Sequence, residues 1–271
     1  MAIQWSLVLF TALTGMAGWM LVPLALDEVR GANEGIRFKV AVVAIVLEVV
    51  GGIASATHLS HPDRMLGALS HPTSGIFVEA MLVGITIALV VVYVVLLKRE
   101  ASDSVRKVFA ILGALIGVAL SFMAGDSYMM ASQQNWNTLL LPLGYLGTAI
   151  PSGIAAYYVL AISSGVQKDA LELHGKMLVA GGIVAAVTAA AFALASGSSA
   201  DFALVIWGLA VFVGGVCPAV LGVALLRGDA AKLNPATLAA LACLCALAGS
   251  IAYRCYMWLC SEVLNNFFQV M

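Results

Sequence analysis

The chain has 271 residues, of which 62% are hydrophobic and 10% charged, with a formal net charge of −1 and a mean hydropathy of +1.04. A soluble domain carries about 25% charged residues, so a sequence this poor in charge cannot cover itself with a polar surface. The composition excludes a soluble globular domain and a basic nucleic-acid-binding module, and reads as an integral membrane protein.

A spanning helix needs about 20 apolar residues. Eight runs reach that length: 4–26, 37–58, 73–97, 106–131, 138–163, 175–196, 201–226 and 236–263. The N-terminus, MAIQWSLVLF, has no positive flank and no small-residue cleavage site, so the first run reads as a retained helix. Connections are short, so the expected fold is all-α: one domain, 1–271, forming a bundle of eight transmembrane helices.

Lysine and arginine in the loops set the expected orientation. Arg30, Arg37 and Lys39 mark the first loop, Lys98, Arg99, Arg106 and Lys107 the third, Lys168 and Lys176 the fifth, and Arg227 and Lys232 the seventh. The second loop carries Arg64, and the fourth, the sixth and both termini carry none. Odd loops are therefore expected in the cytoplasm and both termini outside.

Within the runs, Gly51, Gly52 and Ser55, and Gly181 and Gly182, are small residues suited to close packing. Trp5 and Trp136 fall near outer boundaries, where interfacial aromatics are expected. Pro142 and Pro151 are placed to bend the fifth helix. The run 184–195 reads as packing surface, and Cys217, Cys243, Cys245, Cys255 and Cys260 read as small buried apolar residues without iron–sulfur spacing.

The polar exception is Thr57 to Glu79, THLSHPDRMLGALSHPTSGIFVE. An ionisable residue inside the bilayer costs at least about 2.5 kcal/mol, so each one needs a reason. His58 ends the second helix, Glu79 lies seven residues after Pro72, Tyr128 is placed in the outermost turns of the fourth helix, and Arg254 in the outer part of the eighth. Taken singly, His58 can cap a helix, Tyr128 can join an aromatic belt and Arg254 can snorkel. Their shared depth points to a pocket instead.

A histidine and a carboxylate at one face can take protons from a quinol, a tyrosine and an arginine can orient its oxygens, and apolar helix faces can hold its ring. Ser121, Gly125, Tyr128 and Ser132 share one helical stripe, which suits a lined cavity or a packing seam equally. Glu48, mid-membrane, fits either a proton path or a hydrogen-bonded acid. Haem is disfavoured, because His58, His61 and His71 crowd one external loop and His174 sits at the opposite face. Without an electron carrier of its own, the protein would pass electrons to a partner docked on the outer loops.

The residues His58, Leu59, Pro62, Arg64 and Leu69 carry the pattern H-L-x-x-P-x-R-x-x-x-x-L, followed by Ser74 and Glu79. This resembles the membrane anchor subunit of DMSO reductase and related molybdoenzymes. Tyr128 to Gly144 and Gly249 to Tyr256 are similar to two further family segments, although Ser250 stands where the family often has glutamate. The resemblance implies a complex with a molybdopterin catalytic subunit and a four-cluster iron–sulfur subunit, in the inner membrane of a prokaryote. It implies menaquinol oxidation in anaerobic respiration, with the quinol-site histidine carried over to His58 and the glutamate to Glu79. The expected quinol pocket is His58, Arg64, Glu79, Tyr128 and Arg254.

Three other readings compete. A secondary transporter would place its site mid-membrane between paired broken helices, and no inverted repeat stands out. A polysulfide-reductase-type anchor shares the quinol chemistry without the H-L-x-x-P match. A purely structural anchor would bind no quinone.

Overall fold

Caps mark three of the element ends. Ser74 accepts a hydrogen bond from the Phe77 amide at 3.3 Å and starts one helix, and Asn234, followed by Pro235, starts another. Gly31, at φ 66°, ends the first helix in the left-handed conformation, and its amide reaches the carbonyls of Asp27 and Glu28.

The structure, a computed structural model, describes residues 2–57, 67, 70–198, 200–227 and 234–261. Among the described residues there are eight helices long and apolar enough to cross a membrane, and no strand. They are α1 (Trp5–Arg30), α2 (Glu34–Ala56), α3 (Gly75–Lys98), α4 (Asp103–Asp126), α5 (Leu140–Ser163), α6 (Glu172–Ala195), α7 and α8 (Pro235–Leu259). The seventh, α7, is a π-helical stretch, Leu204–Val216, that runs into an α-helical one, Cys217–Arg227. Pro218 cannot donate to the carbonyl of Gly214, which favours a wider helical register just upstream.

The helices α1 and α5 form the centre. In its membrane-crossing window α1 is 72% buried and α5 67%, against 17% for α3. Val46, Ile53, Val187, Leu204 and Leu244 are exposed, which suits a surface that faces lipid. Inside, small residues let backbones touch: Gly214 of α7 lies on Gly249 of α8, and a Cβ on either would overlap the other backbone.

Several expectations change. Tyr128 is not on the fourth helix, because α4 stops at Asp126, where Gly125, Asp126 and Ser127 are weak helix formers. The stripe expected to run on to Ser132 therefore breaks after Gly125, which packs against Pro142 instead. Because α3 starts at Gly75, Glu79 is four residues in, about 6 Å rather than 10 Å. Gly51 touches Thr14 and the Phe10 carbonyl, but Gly52, about 100° further round α2, meets nothing within 4 Å. Gly181 and Gly182 do pack closely, against Ile150 and against Gly215 and Ala219.

Trp5 is 57% exposed, as expected of a boundary residue. Trp136 is 2% exposed and belongs to the core, where its indole N–H donates to the Met257 carbonyl at 2.8 Å. Pro151 is inside α5, whereas Pro142 is in its first turn. The run 184–195 has one packed side, Ala185, Ala189 and Phe192, and one lipid side, Val184, Val187 and Leu194.

Candidate functional site

The antiparallel run of the helices gathers the end of α2, the start of α3, the end of α4, the start of α5 and the end of α8 at one end of the bundle. We call this the site end, and the opposite one the basic end. His58 and Arg64, both expected in the site, lie outside the described residues. Glu79, Tyr128 and Arg254 lie at the site end.

Glu79 is 9% exposed and accepts a hydrogen bond from the Ser127 hydroxyl. The approach depends on Gly75, since a Cβ there would sit 2.5 Å from Ser127 Cβ. Thus the N-terminus of α3 is seated on the residue that follows α4, and the carboxylate is held by that seat.

Tyr128 follows immediately and turns into an aromatic cluster. Its ring lies 6.1 Å from Trp136, 5.9 Å from Tyr145 and 5.8 Å from Trp258, with the two tryptophans edge-on. Trp136 and Trp258 meet edge to face at 5.2 Å. Burial pushes the Tyr128 phenol up, Glu79 pushes the same way, and Arg254 opposes both. Tyr145 links the phenol to the guanidinium, since its ring lies 5.9 Å from that of Tyr128 and 4.5 Å from the Arg254 guanidinium, and Ser127, next to Tyr128, bonds Glu79.

Arg254 is fully buried and does not snorkel. Its Nε donates to Thr11 Oγ1 at 2.9 Å, Nη2 to the Thr11 carbonyl at 3.0 Å, and Nη1 to Thr148 Oγ1 at 3.3 Å. Nη1 also reaches the Ser250 carbonyl and hydroxyl at 2.9 and 2.6 Å. The guanidinium sits 4.5 Å over the Tyr145 ring. Among the described residues no carboxylate is paired with it, so its positive charge is solvated by hydroxyls, carbonyls and a π face alone. It ties α8 to α1 and α5.

Sequence reasoning missed Ser127, Tyr145, Trp258 and the cradle of Thr11 and Thr148. The signal was faint: isolated hydroxyls in apolar runs, each of which can also bond its own helix. Thr11 and Thr148 do so, donating to the Leu7 and Gly144 carbonyls at 2.9 and 2.7 Å. Asn135 and Trp136, beyond the end of α4, reach back to the Cys260 and Met257 carbonyls and close the site end over α8.

The basic end holds a second polar network. Glu28 accepts from Arg37 at 2.8 Å, Tyr93 at 2.7 Å and Arg106 at 3.1 Å, so α1 to α4 are clamped on one carboxylate. Asp27 accepts from Tyr157 and, at 2.9 Å, from Asn33, and His174 Nε2 lies 3.2 Å from its other oxygen. His174 is stacked on Tyr157 at 4.9 Å, which places it at the face opposite the site. Glu48 belongs to neither network: it is 1% exposed, and neither carboxyl oxygen has a hydrogen-bond partner among the described residues.

A family model described as DMSO reductase anchor subunit (DmsC) matches residues 1–259. Over 188 residues the sequence is 25% identical to an anaerobic dimethyl sulfoxide reductase subunit of Haemophilus influenzae, an alignment that takes in 68% of this protein and 67% of that one. The family match spans all eight helices, including the site end and the basic end alike. The chain belongs to the DMSO reductase anchor subunit family.

Proposed function

We propose that this protein oxidises menaquinol at the site end and passes the electrons to an iron–sulfur subunit docked there. The partners are a four-cluster iron–sulfur subunit and a molybdopterin catalytic subunit, which together serve anaerobic respiration. The bundle lies in the inner membrane of a prokaryote, with the site end and both termini outside, as the loop charges indicate. The observation that carries this reading is that Glu79, bonded to Ser127, the neighbouring Tyr128, 5.9 Å from Tyr145, and Arg254, 4.5 Å over that same ring and without a carboxylate partner among the described residues, come to one end of the bundle.

The protein's groups suit the ligand. Bound quinol supplies two electrons and two protons. A neutral imidazole at His58, with a reference pKa of about 6.5, accepts one proton near pH 7. Glu79, fixed by Ser127, relays protons to the outer water. Arg254 lowers the energy of negative charge developing on a quinol oxygen, because its own charge has no carboxylate to answer. Arg64 and Tyr128 complete the pocket, and the aromatic cluster walls it from lipid.

The test compares two electron sources in the assembled complex. His58→Ala and Glu79→Gln should each lower quinol-driven reduction by about 10²-fold or more, within the usual range for acid–base groups. A dye that feeds the partner subunits directly should still drive turnover. Quinol oxidation at the wild-type rate in both variants, at normal complex levels, would remove this site from the mechanism.

A further inference from the structure

A quinol carries two hydroxyls on opposite sides of its ring, and one proton acceptor can serve only one of them. The second needs its own acceptor, deeper in the bundle. We propose that Glu48 is that acceptor, that Thr86 holds the same quinol oxygen, and that the proton leaves through Glu79. This rests on the quinol reading above.

Depth orders these groups. Counting at 1.5 Å per residue from the site end, Glu79 is about 6 Å in, Glu48 about 12 Å and Thr86 about 16 Å. Glu79 and Thr86 are two turns apart on one face of α3. That helix is the most lipid-exposed of the eight, and it buries only Glu79, Thr86, Val90 and Tyr93. Packing alone would favour apolar residues on so narrow a stripe. The Thr86 hydroxyl and both Glu48 oxygens are buried with no hydrogen-bond partner among the described residues. Native proteins pair more than about 90% of such groups, so open capacity at one depth on adjacent helices points to a polar ligand.

Of the other ionisable groups on the helices packed against α2, Arg30, Lys98 and Tyr158 lie at the basic end, and the rest are engaged. Asp27, Glu28, Tyr93 and Tyr157 are bonded into the basic-end network, and Tyr145 donates to the Met257 sulfur. Of the carboxyls on the helices packed against α2, Glu79 is the one in the site half of the bundle with Glu48. An isolated carboxylate is far costlier there than a carboxylic acid, so Glu48 acts by hand-over. One quinol O–H bond breaks as a new O–H bond forms on Glu48. The proton Glu48 already held passes to Glu79, and the proton of Glu79 passes to the outer water. Both carboxyls end as they began, and the two electrons go to the docked iron–sulfur subunit.

Two measurements test this on the whole complex. Carbodiimide labelling, read by peptide mapping, should modify Glu48, and a quinone-headgroup inhibitor should suppress it at least tenfold. Absence of labelling, or labelling that the inhibitor leaves unchanged, overturns the assignment. Glu48→Gln, which is isosteric, should assemble normally, retain dye-driven turnover and lose quinol-driven turnover about 10²-fold. It should also lose a carboxylic-acid carbonyl band from quinol-minus-quinone infrared difference spectra, which a merely structural residue would not contribute. Normal quinol turnover in Glu48→Gln, with His58→Ala and Glu79→Gln inactive, refutes Glu48 alone; normal turnover in all three refutes the quinol site itself.

Discussion

Replacing Arg254 with methionine isolates what the buried guanidinium does. The change keeps an unbranched side chain of similar length and removes five donated contacts: two to Thr11, one to Thr148 and two to Ser250. Polar contacts between membrane helices average about 0.6 kcal/mol each, so five give about 3 kcal/mol. The hydroxyls of Thr11 and Thr148 keep their own helix carbonyls, so they are not orphaned by the loss. The cation–π contact with Tyr145 adds about 1 kcal/mol to the loss, and relief of a buried charge opposes it by a similar amount. The net expectation is about 3 kcal/mol, read as a lower midpoint in thermal or denaturant unfolding of the purified anchor in detergent. Arg254→Lys should recover part of the quinol rate but little of the stability, because one ammonium cannot span Thr11 and Thr148 as the planar fork does. Unchanged stability in Arg254→Met would show that the tie between α8, α1 and α5 contributes nothing, and with it the account of how the site end is held.

Four further expectations follow from the same geometry. Ser127→Ala should leave assembly intact and slow quinol turnover roughly tenfold, the effect of about 1.4 kcal/mol, because Glu79 loses its donor; an unchanged rate would show that this bond does not position the carboxyl. Trp136→Ala should destabilise the fold by about 3–5 kcal/mol, since it empties a buried site and frees the Met257 carbonyl; equilibrium unfolding measures this. Glu28→Gln should cost a similar amount, about 3–5 kcal/mol, by leaving Arg37 and Arg106 poorly answered, and surviving complexes should keep full quinol activity because the network is at the other end. Reporter fusions at Ser102 and Asn135 should place these on the inner and outer sides respectively, and crosslinkers at Gln134 or Asn137 should capture the iron–sulfur subunit.

Much of the bundle was legible because membrane helices obey one dominant constraint. Backbone groups in lipid must be satisfied within the helix, so runs of apolar residues translate directly into spans. Boundaries were clear where a capping residue marked them, as at Ser74 and Asn234. They failed at Asp126, where hydropathy continued through Met129 and Met130 while the helix did not. Counting residues gave the end of the bundle at which Glu79 and Arg254 lie, but it set Glu79 too deep because the helix starts at Gly75 rather than at Pro72. Their partners could not be read, because Ser127, Thr11 and Thr148 come from helices remote in sequence, and a hydroxyl in an apolar run gives no hint of which way it faces. Trp136 shows the same limit: boundary position suggested an interfacial belt, but its indole N–H found a carbonyl on α8.

The two polar ends of the bundle are built on opposite principles, and the contrast bears on function. At the basic end the two buried carboxylates each meet several partners: Glu28 has two arginines and a phenol, and Asp27 has a phenol and an amide, with an imidazole 3.2 Å from its other oxygen. Glu28 is answered within this network, whereas His174 and the Asp27 oxygen facing it have no hydrogen-bond partner among the described residues; together the contacts tie α1 to α6. At the site end the charges are answered incompletely. Arg254 faces hydroxyls and a ring rather than an acid, and Glu79 has a single neutral donor. Incomplete pairing inside a membrane is costly, and it gives stability no reason to keep it. A ligand that brings oxygens and exchangeable protons supplies the missing partners. That Arg254 has no acid partner among the described residues is what supports the proposed quinol site at this end, while the contacts on Glu28 hold α1 to α4 together at the other.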